Sequence, residues 1–342
     1  MRRTEIDIWT SPIMGTKYFK LAIRTLVTFV LLALVFRHVD QQQLWQTVRT
    51  ARSEYLIILW AASLAFLALR SFRLRLILKQ QSLDIGTFTI FKVSAATSLY
   101  SLVLPGLMST GVKWYILKKA TGKGTNIFNS MLYNQLSELV VMSTCALLVL
   151  IITNPTSLLL PETEHLWLLP TVCSIILVLM ITVTLFLLSP RTSGYVLKVL
   201  NYMLKPLPRK MQNKARQALH EATMFHDAGW SFHVSMVLLN ILTQVVGTVI
   251  VYIFAAKAAN FSIPLTVYIW LASLVFILGR IPITIANLGI REMTLMGILA
   301  AYGVEKSSAL LMSMILFSTI ILKAIIGAGF MIQWSLAKKK TN

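Results

Sequence analysis

Six ionisable side chains fall inside apolar stretches of this sequence: Lys92, Glu138, Arg280, Arg291, Glu292 and Lys323. A charge at the centre of a bilayer costs about 3 kcal/mol on insertion scales, so each calls for a partner or water, and each is a functional candidate. Arg280, Arg291 and Lys323 are the right types to form a cationic pocket for a phosphate, because the planar guanidinium fork matches phosphate oxygens. Glu138 and Glu292 would then orient those cations or relay protons. Glu138 has Asn134 and Gln135 one turn before it, and Lys323, in the middle of the last apolar run, is a candidate partner. A buried ion pair that only fixes helix packing is the competing reading of such a pair.

Motifs of soluble enzymes fail on inspection. Thr121-Gly122-Lys123-Gly124 lacks the upstream glycine and the hydroxyl residue after lysine that a phosphate loop needs. His220, Glu221, His226, Asp227 and His233 cluster loosely, but their spacing matches no zinc pattern. No serine–histidine–aspartate or paired-carboxylate arrangement stands out. Cys145 and Cys173 both lie in hydrophobic runs and imply no disulfide framework. No metal or cofactor is expected.

The elements that must position the candidates are membrane helices. Of 342 residues, 56% are hydrophobic and 13% charged, and mean hydropathy is +0.73, which marks a polytopic helical membrane protein. The net charge of +20, from 32 Lys and Arg against 12 Asp and Glu, would suggest nucleic acid in a soluble protein. Here the basic residues sit between apolar runs, so positive-inside topology explains them and no nucleic-acid partner is expected. Eight hydrophobic segments fall near 18–36, 55–69, 88–108, 127–152, 166–188, 232–255, 264–303 and 307–334.

Two of these segments are interrupted. Gly279 to Glu292 places three charges, Pro282 and two glycines within an apolar third of the chain. Pro282 lacks an amide hydrogen and disfavours helix at the preceding residue, while Gly289 accepts the backbone angles at which a second helix restarts. Broken backbone at membrane depth survives only where protein or a water-filled cavity surrounds it. A short surface loop with Arg291 and Glu292 in solvent is the plainer alternative. The segment near 88–108 has a similar break, with Pro105-Gly106 followed by Gly111.

The charge pattern supports turning back at both breaks. With both termini in the cytoplasm, Lys and Arg concentrate in 1–17, 70–87, 112–126, 189–229 and 335–342, and the outer loops hold far fewer. Both flanks of 88–108 are then inside, and 264–303 starts and ends outside. The expectation is an all-α protein of about six full spans and two oppositely oriented re-entrant hairpins, resembling an inverted repeat, with the substrate site between the two tips. Eight plain crossings would put one basic loop outside.

In domain terms, 1–17 is a cytoplasmic tail, 18–334 a single integral membrane domain and 335–342 a basic cytoplasmic tail. The inner loop 189–229 interleaves basic and apolar residues, as an amphipathic helix on an anionic leaflet or as a solvated loop. Leu44, Trp45, Val48 and Ala51 make a shorter apolar stripe on the outer side.

Pro282, Asn287-Leu288-Gly289-Ile290-Arg291-Glu292, Tyr302-Gly303-Val304, Lys323 and Gly327 resemble the C-terminal signature of the lysylphosphatidylglycerol synthase/flippase transmembrane family. Leu104-Pro105-Gly106 and Gly111-Val112-Lys113 resemble its N-terminal signature, and the likeness runs from about residue 17 to 334. Asn287 stands where that family commonly has glycine, and Val112 where an acidic residue is frequent. The resemblance implies a helical membrane domain that flips aminoacylated phosphatidylglycerol or serves glycolipid or polyprenyl-linked sugar pathways. A chain of this length leaves no room for the soluble aminoacyl-transferase domain of the bifunctional members.

The expected function is therefore flippase-like movement of an anionic phospholipid or polyprenyl-linked glycolipid between leaflets of a bacterial inner membrane. Arg280, Arg291, Glu292, Lys323, Glu138 and Lys113 form the candidate substrate site. Pro105, Gly106, Gly111, Pro282, Asn287 and Gly289 form the candidate breaks. The alternatives are a membrane glycosyltransferase and a partner that anchors a lipid-modifying synthase through the 189–229 loop.

Overall fold

The computed structural model describes residues 41–102, 106–159, 165–188, 228–281, 284 and 287–340. Among them the regular structure is entirely helical. In lipid every backbone amide must be satisfied internally, and this composition leaves helices as the available solution. Five helical runs are long and apolar enough to cross a membrane: Ser53–Gln80, Gly124–Thr153, Leu168–Leu185, Trp230–Ala258 and Lys306–Gln333. They correspond to five of the expected spans. The sixth, near 18–36, lies outside the described residues, as do almost all of the basic loop 189–229 and the tail 1–17.

In chain order the helices are α1 (Gln41–Arg49), α2 (Ser53–Gln80), α3 (Thr87–Ser101), α4 (Gly106–Thr121), α5 (Gly124–Thr153), the single turn α6 (Thr156–Leu159) and α7 (Leu168–Leu188). Then come α8 (Trp230–Asn240), a π-helical turn (Ile241–Val246), α9 (Gly247–Ala258), α10 (Leu265–Leu278), α11 (Ile290–Ala301) and α12 (Lys306–Lys340). Four of them, α3, α4, α10 and α11, have only 15, 16, 14 and 12 residues. At about 1.5 Å per residue they fall short of the roughly 30 Å hydrocarbon core. The interruptions expected at 105–106 and 282–289 thus separate pairs of short helices.

One boundary moves. Residues 70–87 read as a loop by charge, yet α2 runs unbroken to Gln80 and buries Arg73 completely. Apolar Leu74, Ile77 and Leu78 resume after Arg73 and are buried with it, so the helix continues with Arg70 and Arg73 turned toward its neighbours, while Arg75 and Lys79 face outward. Lys113 lies within α4, in a stretch also assigned to a basic loop. The inward bias of Lys and Arg therefore rests on the other cations. Gly111 is a further correction. It is helical and exposed within α4, with open space around any added Cβ, so it takes no part in the break.

The two largest apolar clusters hold most of the helices. The larger joins α2, α9, α10, α11 and α12 through buried residues such as Leu59, Tyr252, Leu271, Leu295 and Leu316. The smaller joins α2, α3, α4 and α5 through Leu74, Ile90, Leu117, Ile127 and Met131. The first short pair reaches α12 by backbone proximity, because Gly327 on α12 sits directly against the Ala95 backbone of α3, where any Cβ would clash. Small residues at such crossings let membrane helices pack closely without a hydrophobic driving force.

Candidate functional site

Glu138 sits buried in α5 and is bound from three directions. Arg73 of α2 pairs with its Oε1, which also accepts from Asn134 Nδ2 at 2.9 Å. Arg280, just past the end of α10, donates to Oε2 at 3.0 Å. Asn134 and Glu138 meet because residues four apart share a helix face.

Arg73 is also held by the π-helical turn and its flank. Arg73 also donates to Asn134 Oδ1 at 3.2 Å, to Asn240 Oδ1 and to Thr243 Oγ1 at 2.7 Å. Asn240 passes the chain on to Ser137 Oγ at 3.2 Å. Arg70, one turn before Arg73, donates through Nε and Nη2 to the Thr243 carbonyl, both at 3.2 Å, and to Thr248 Oγ1 at 3.3 Å. A π-turn shifts the backbone register and leaves carbonyls for other donors, and such turns are frequent at functional sites.

The second carboxylate has a different setting. Gly289 has φ +88° and caps α11, and its amide donates to Glu292 Oε2 at 2.6 Å. Glu292 Oε1 accepts from Arg291 Nη2 at 2.6 Å and from Ser313 Oγ of α12 at 2.7 Å, while Arg291 Nε donates to Ser313 Oγ at 2.7 Å. A carboxylate in the first turn also meets the positive end of the helix dipole. Asn287 has φ +59°, a left-handed conformation open to glycine and tolerated by asparagine. This accounts for asparagine where the resembled family commonly has glycine. The Asn287 amide packs against Gly279 so closely that a Cβ there would collide with it.

Two cavities open between these groups. The first, about 370 Å³, is lined by Arg70, Arg280, Asn287, Arg291 and Lys323 together with Tyr252, Phe276 and Leu316. The second, about 290 Å³, is lined by Arg70, Arg73, Lys113, Gln135, Glu138 and Arg280 with Leu74 and Met131. Arg70, Gln244, Phe276 and Arg280 belong to both walls. The Arg280 side chain is 35% exposed, and its guanidinium lies 4.5 Å from the Phe276 ring centroid, a geometry that holds a cation on an apolar wall.

Residues 21–327 match the family described as lysylphosphatidylglycerol synthase TM region. The chain belongs to this family. No curated protein and no solved structure matches it. Membership in the lysylphosphatidylglycerol synthase transmembrane-region family, with the five apolar spans, makes this an integral membrane protein tied to lipid synthesis or translocation.

Against the expected site of this family member, the structure brings Arg280, Arg291 and Lys323 to one cavity and places Lys113 and Glu138 at its neighbour. The Glu138–Lys323 pairing is corrected: Glu138 is taken by Arg73 and Arg280, and no ion pair to Lys323 forms among the described residues. Gly106 begins α4, Asn287 and Gly289 shape the second break, and Pro105 and Pro282 lie outside the described residues. Lys92 is elsewhere, its ammonium 4.5 Å from the Phe88 ring. Of the histidine cluster only His233 is described. It is buried and bonds Tyr133 Oη at 2.9 Å, and no group of metal-ligating side chains occurs among the described residues.

Arg70, Arg73, Asn240, Thr243, Gln244 and Ser313 escaped the sequence reading. The signal for the two arginines was present, since the apolar run resumes at Leu74 in helical register with them. Asn240, Thr243 and Gln244 were visible as polar residues inside an apolar window, but nothing local said that they face Arg73.

Proposed function

We propose that this chain is a flippase-like transporter of a lipid with an anionic, phosphate-bearing headgroup, in the class of anionic phospholipids and polyprenyl-linked glycolipids. The observation that supports it is the pair of adjoining cavities walled by Arg70, Arg73, Lys113, Arg280, Arg291 and Lys323, with Glu138 the one carboxylate among their described lining and Glu292 paired to Arg291 beside them. Uncompensated cations are costly in a protein interior. A phosphate entering the cavities supplies the missing charge through charge-assisted hydrogen bonds.

In this reading α3–α4 and α10–α11 are two oppositely oriented re-entrant hairpins, set among six full spans in a bacterial inner membrane with both termini cytoplasmic. Their short lengths and the placement of Arg280, Asn287 and Arg291 beside one break are what support it. The headgroup occupies the cationic cavities while the tails remain in lipid. Rearrangement of the hairpins exposes the headgroup to one leaflet and then the other, as in inverted-repeat transporters. Both buried carboxylates are held by arginines, which leaves them better placed to fix cations than to act as general acid and base.

Leaflet exchange in proteoliposomes tests the proposal across lysyl-phosphatidylglycerol, phosphatidylglycerol and a polyprenyl-phosphate sugar. Wild type accelerates exchange of at least one, and Arg70→Gln and Lys323→Gln each slow it about tenfold or more, as expected for loss of a charged hydrogen bond to substrate. Folded wild type that moves none of them refutes transport for this panel. Sugar transfer by the purified chain would favour the glycosyltransferase reading, and co-purification of a lipid-modifying synthase with no exchange would favour the partner reading.

A further inference from the structure

The two cavities are joined by a shared cationic wall, and their charge is more than one phosphate can balance. Six cations line them, Arg70, Arg73, Lys113, Arg280, Arg291 and Lys323, and two carboxylates, Glu138 and Glu292, pair with three of the six. Six against two leaves an excess of four positive charges among the described residues. A phosphodiester headgroup carries one negative charge, so it would leave most of the excess buried and unbalanced.

The excess is also divided in space. Lys323 and Arg291 belong to the first cavity alone, Lys113 and Arg73 to the second alone, and Arg70 and Arg280 face both. Neither lysine has an ion-pair partner among the described residues. Neutral polar groups repeat the division, with the Asn287 amide on the first side and Gln135, which donates to Thr110 Oγ1 at 3.3 Å, on the second.

Resting on the transport reading above, we propose that the substrate headgroup bears two phosphate groups, one in each cavity, both reached by Arg70 and Arg280. Lys323 and Arg291 hold the first phosphate, and Lys113 holds the second beside the Arg73–Glu138 pair. Two sources share this chemistry: a diphosphate on an isoprenoid lipid, and two phosphodiesters on one lipid such as cardiolipin. A diphosphate places its charges within a few ångströms and matches cavities that share a wall. Separated phosphodiesters would span them through a linker.

The test is competition against fluorescent phosphatidylglycerol bound to the full chain in nanodiscs, with phosphatidylglycerol, cardiolipin and an isoprenoid diphosphate as competitors, and leaflet exchange measured in parallel. A two-phosphate lipid displaces the probe at about tenfold lower concentration than phosphatidylglycerol, the scale of an added charge-assisted contact. Whichever of the two does so identifies the source. Lys113→Gln reduces that ratio to about threefold or less, whereas Lys119→Gln, on the exposed side of the same helix, keeps it. Equal displacement by one- and two-phosphate lipids on wild type overturns the inference without relying on any variant, and so does an unchanged ratio in folded Lys113→Gln. Preference for two phosphates without exchange supports the headgroup assignment and refutes transport. Exchange without preference retains transport and overturns the assignment. Failure of every lipid to bind overturns both.

Discussion

Two buried carboxylates of this protein, Glu138 and Glu292, do different structural work. Glu138 gathers guanidiniums from Arg73 and Arg280, residues distant from it in sequence, and so ties α2, α5 and the end of α10 together. Glu292 closes on its own helix start, through the Gly289 amide and the adjacent Arg291, and reaches outward only to Ser313. One partner of Glu138, Arg280, is partly exposed and stands on the wall between the cavities, whereas Arg291 is largely buried at the edge of the first cavity and Glu292 lines neither. On the transport proposal, the Glu138 centre exchanges its partly exposed partner for a headgroup phosphate when the break moves. The Glu292 centre fixes where that break ends.

Substitutions at the two centres should separate these roles, and the largest effect is expected at Glu138. Glu138→Ala leaves Arg73 fully buried without its counter-charge, at a cost of about 3–5 kcal/mol, read as a lower unfolding temperature in detergent. A variant as stable as wild type would show that the pair is dispensable. Arg280→Gln removes the partly exposed partner and leaves the Arg73 pair intact, so stability falls by about 1 kcal/mol while lipid exchange slows about tenfold or more. Equal losses of both would erase the distinction drawn between the centres.

At the second centre the stability losses stay below that of Glu138→Ala. Glu292→Gln keeps an acceptor for the Gly289 amide but not the charge facing Arg291, and should cost about 1–3 kcal/mol. Hydrogen exchange should rise at the first turn of α11 more than in α5, and the reverse order would contradict a local role. Asn287→Ala places a Cβ residue without a compensating amide in the left-handed region, at about 1–2 kcal/mol. Asn287→Gly should change unfolding stability by about 0.5 kcal/mol or less.

The same contrast explains what could be read from the chain. The Gly289 cap and Glu292 three residues later form a local pattern, as do the interruptions separating the short helices, so the second break was legible from spacing. Five long apolar helices followed from hydropathy. The Glu138 partners were not legible, because the choice among Arg73, Arg280 and Lys323 depends on how α2, α5, α10 and α12 pack, and every cation in the membrane is an equal candidate on charge alone. Arg70 and Arg73 were further hidden by the rule that assigns basic clusters to loops. That rule counts charges along the chain and is silent on a helix that turns two of its arginines inward.

The central claim is that the cationic cavities hold the phosphate of a lipid headgroup. Its most direct test is the phosphate-bearing lipid retained by purified protein through extensive detergent washing, compared between wild type and the double variant Arg70→Gln/Lys323→Gln, with folding checked by gel filtration. The account predicts that wild type keeps bound lipid phosphorus and that the folded double variant loses most of it. Equal retention by the two proteins, or none in wild type, would contradict the claim.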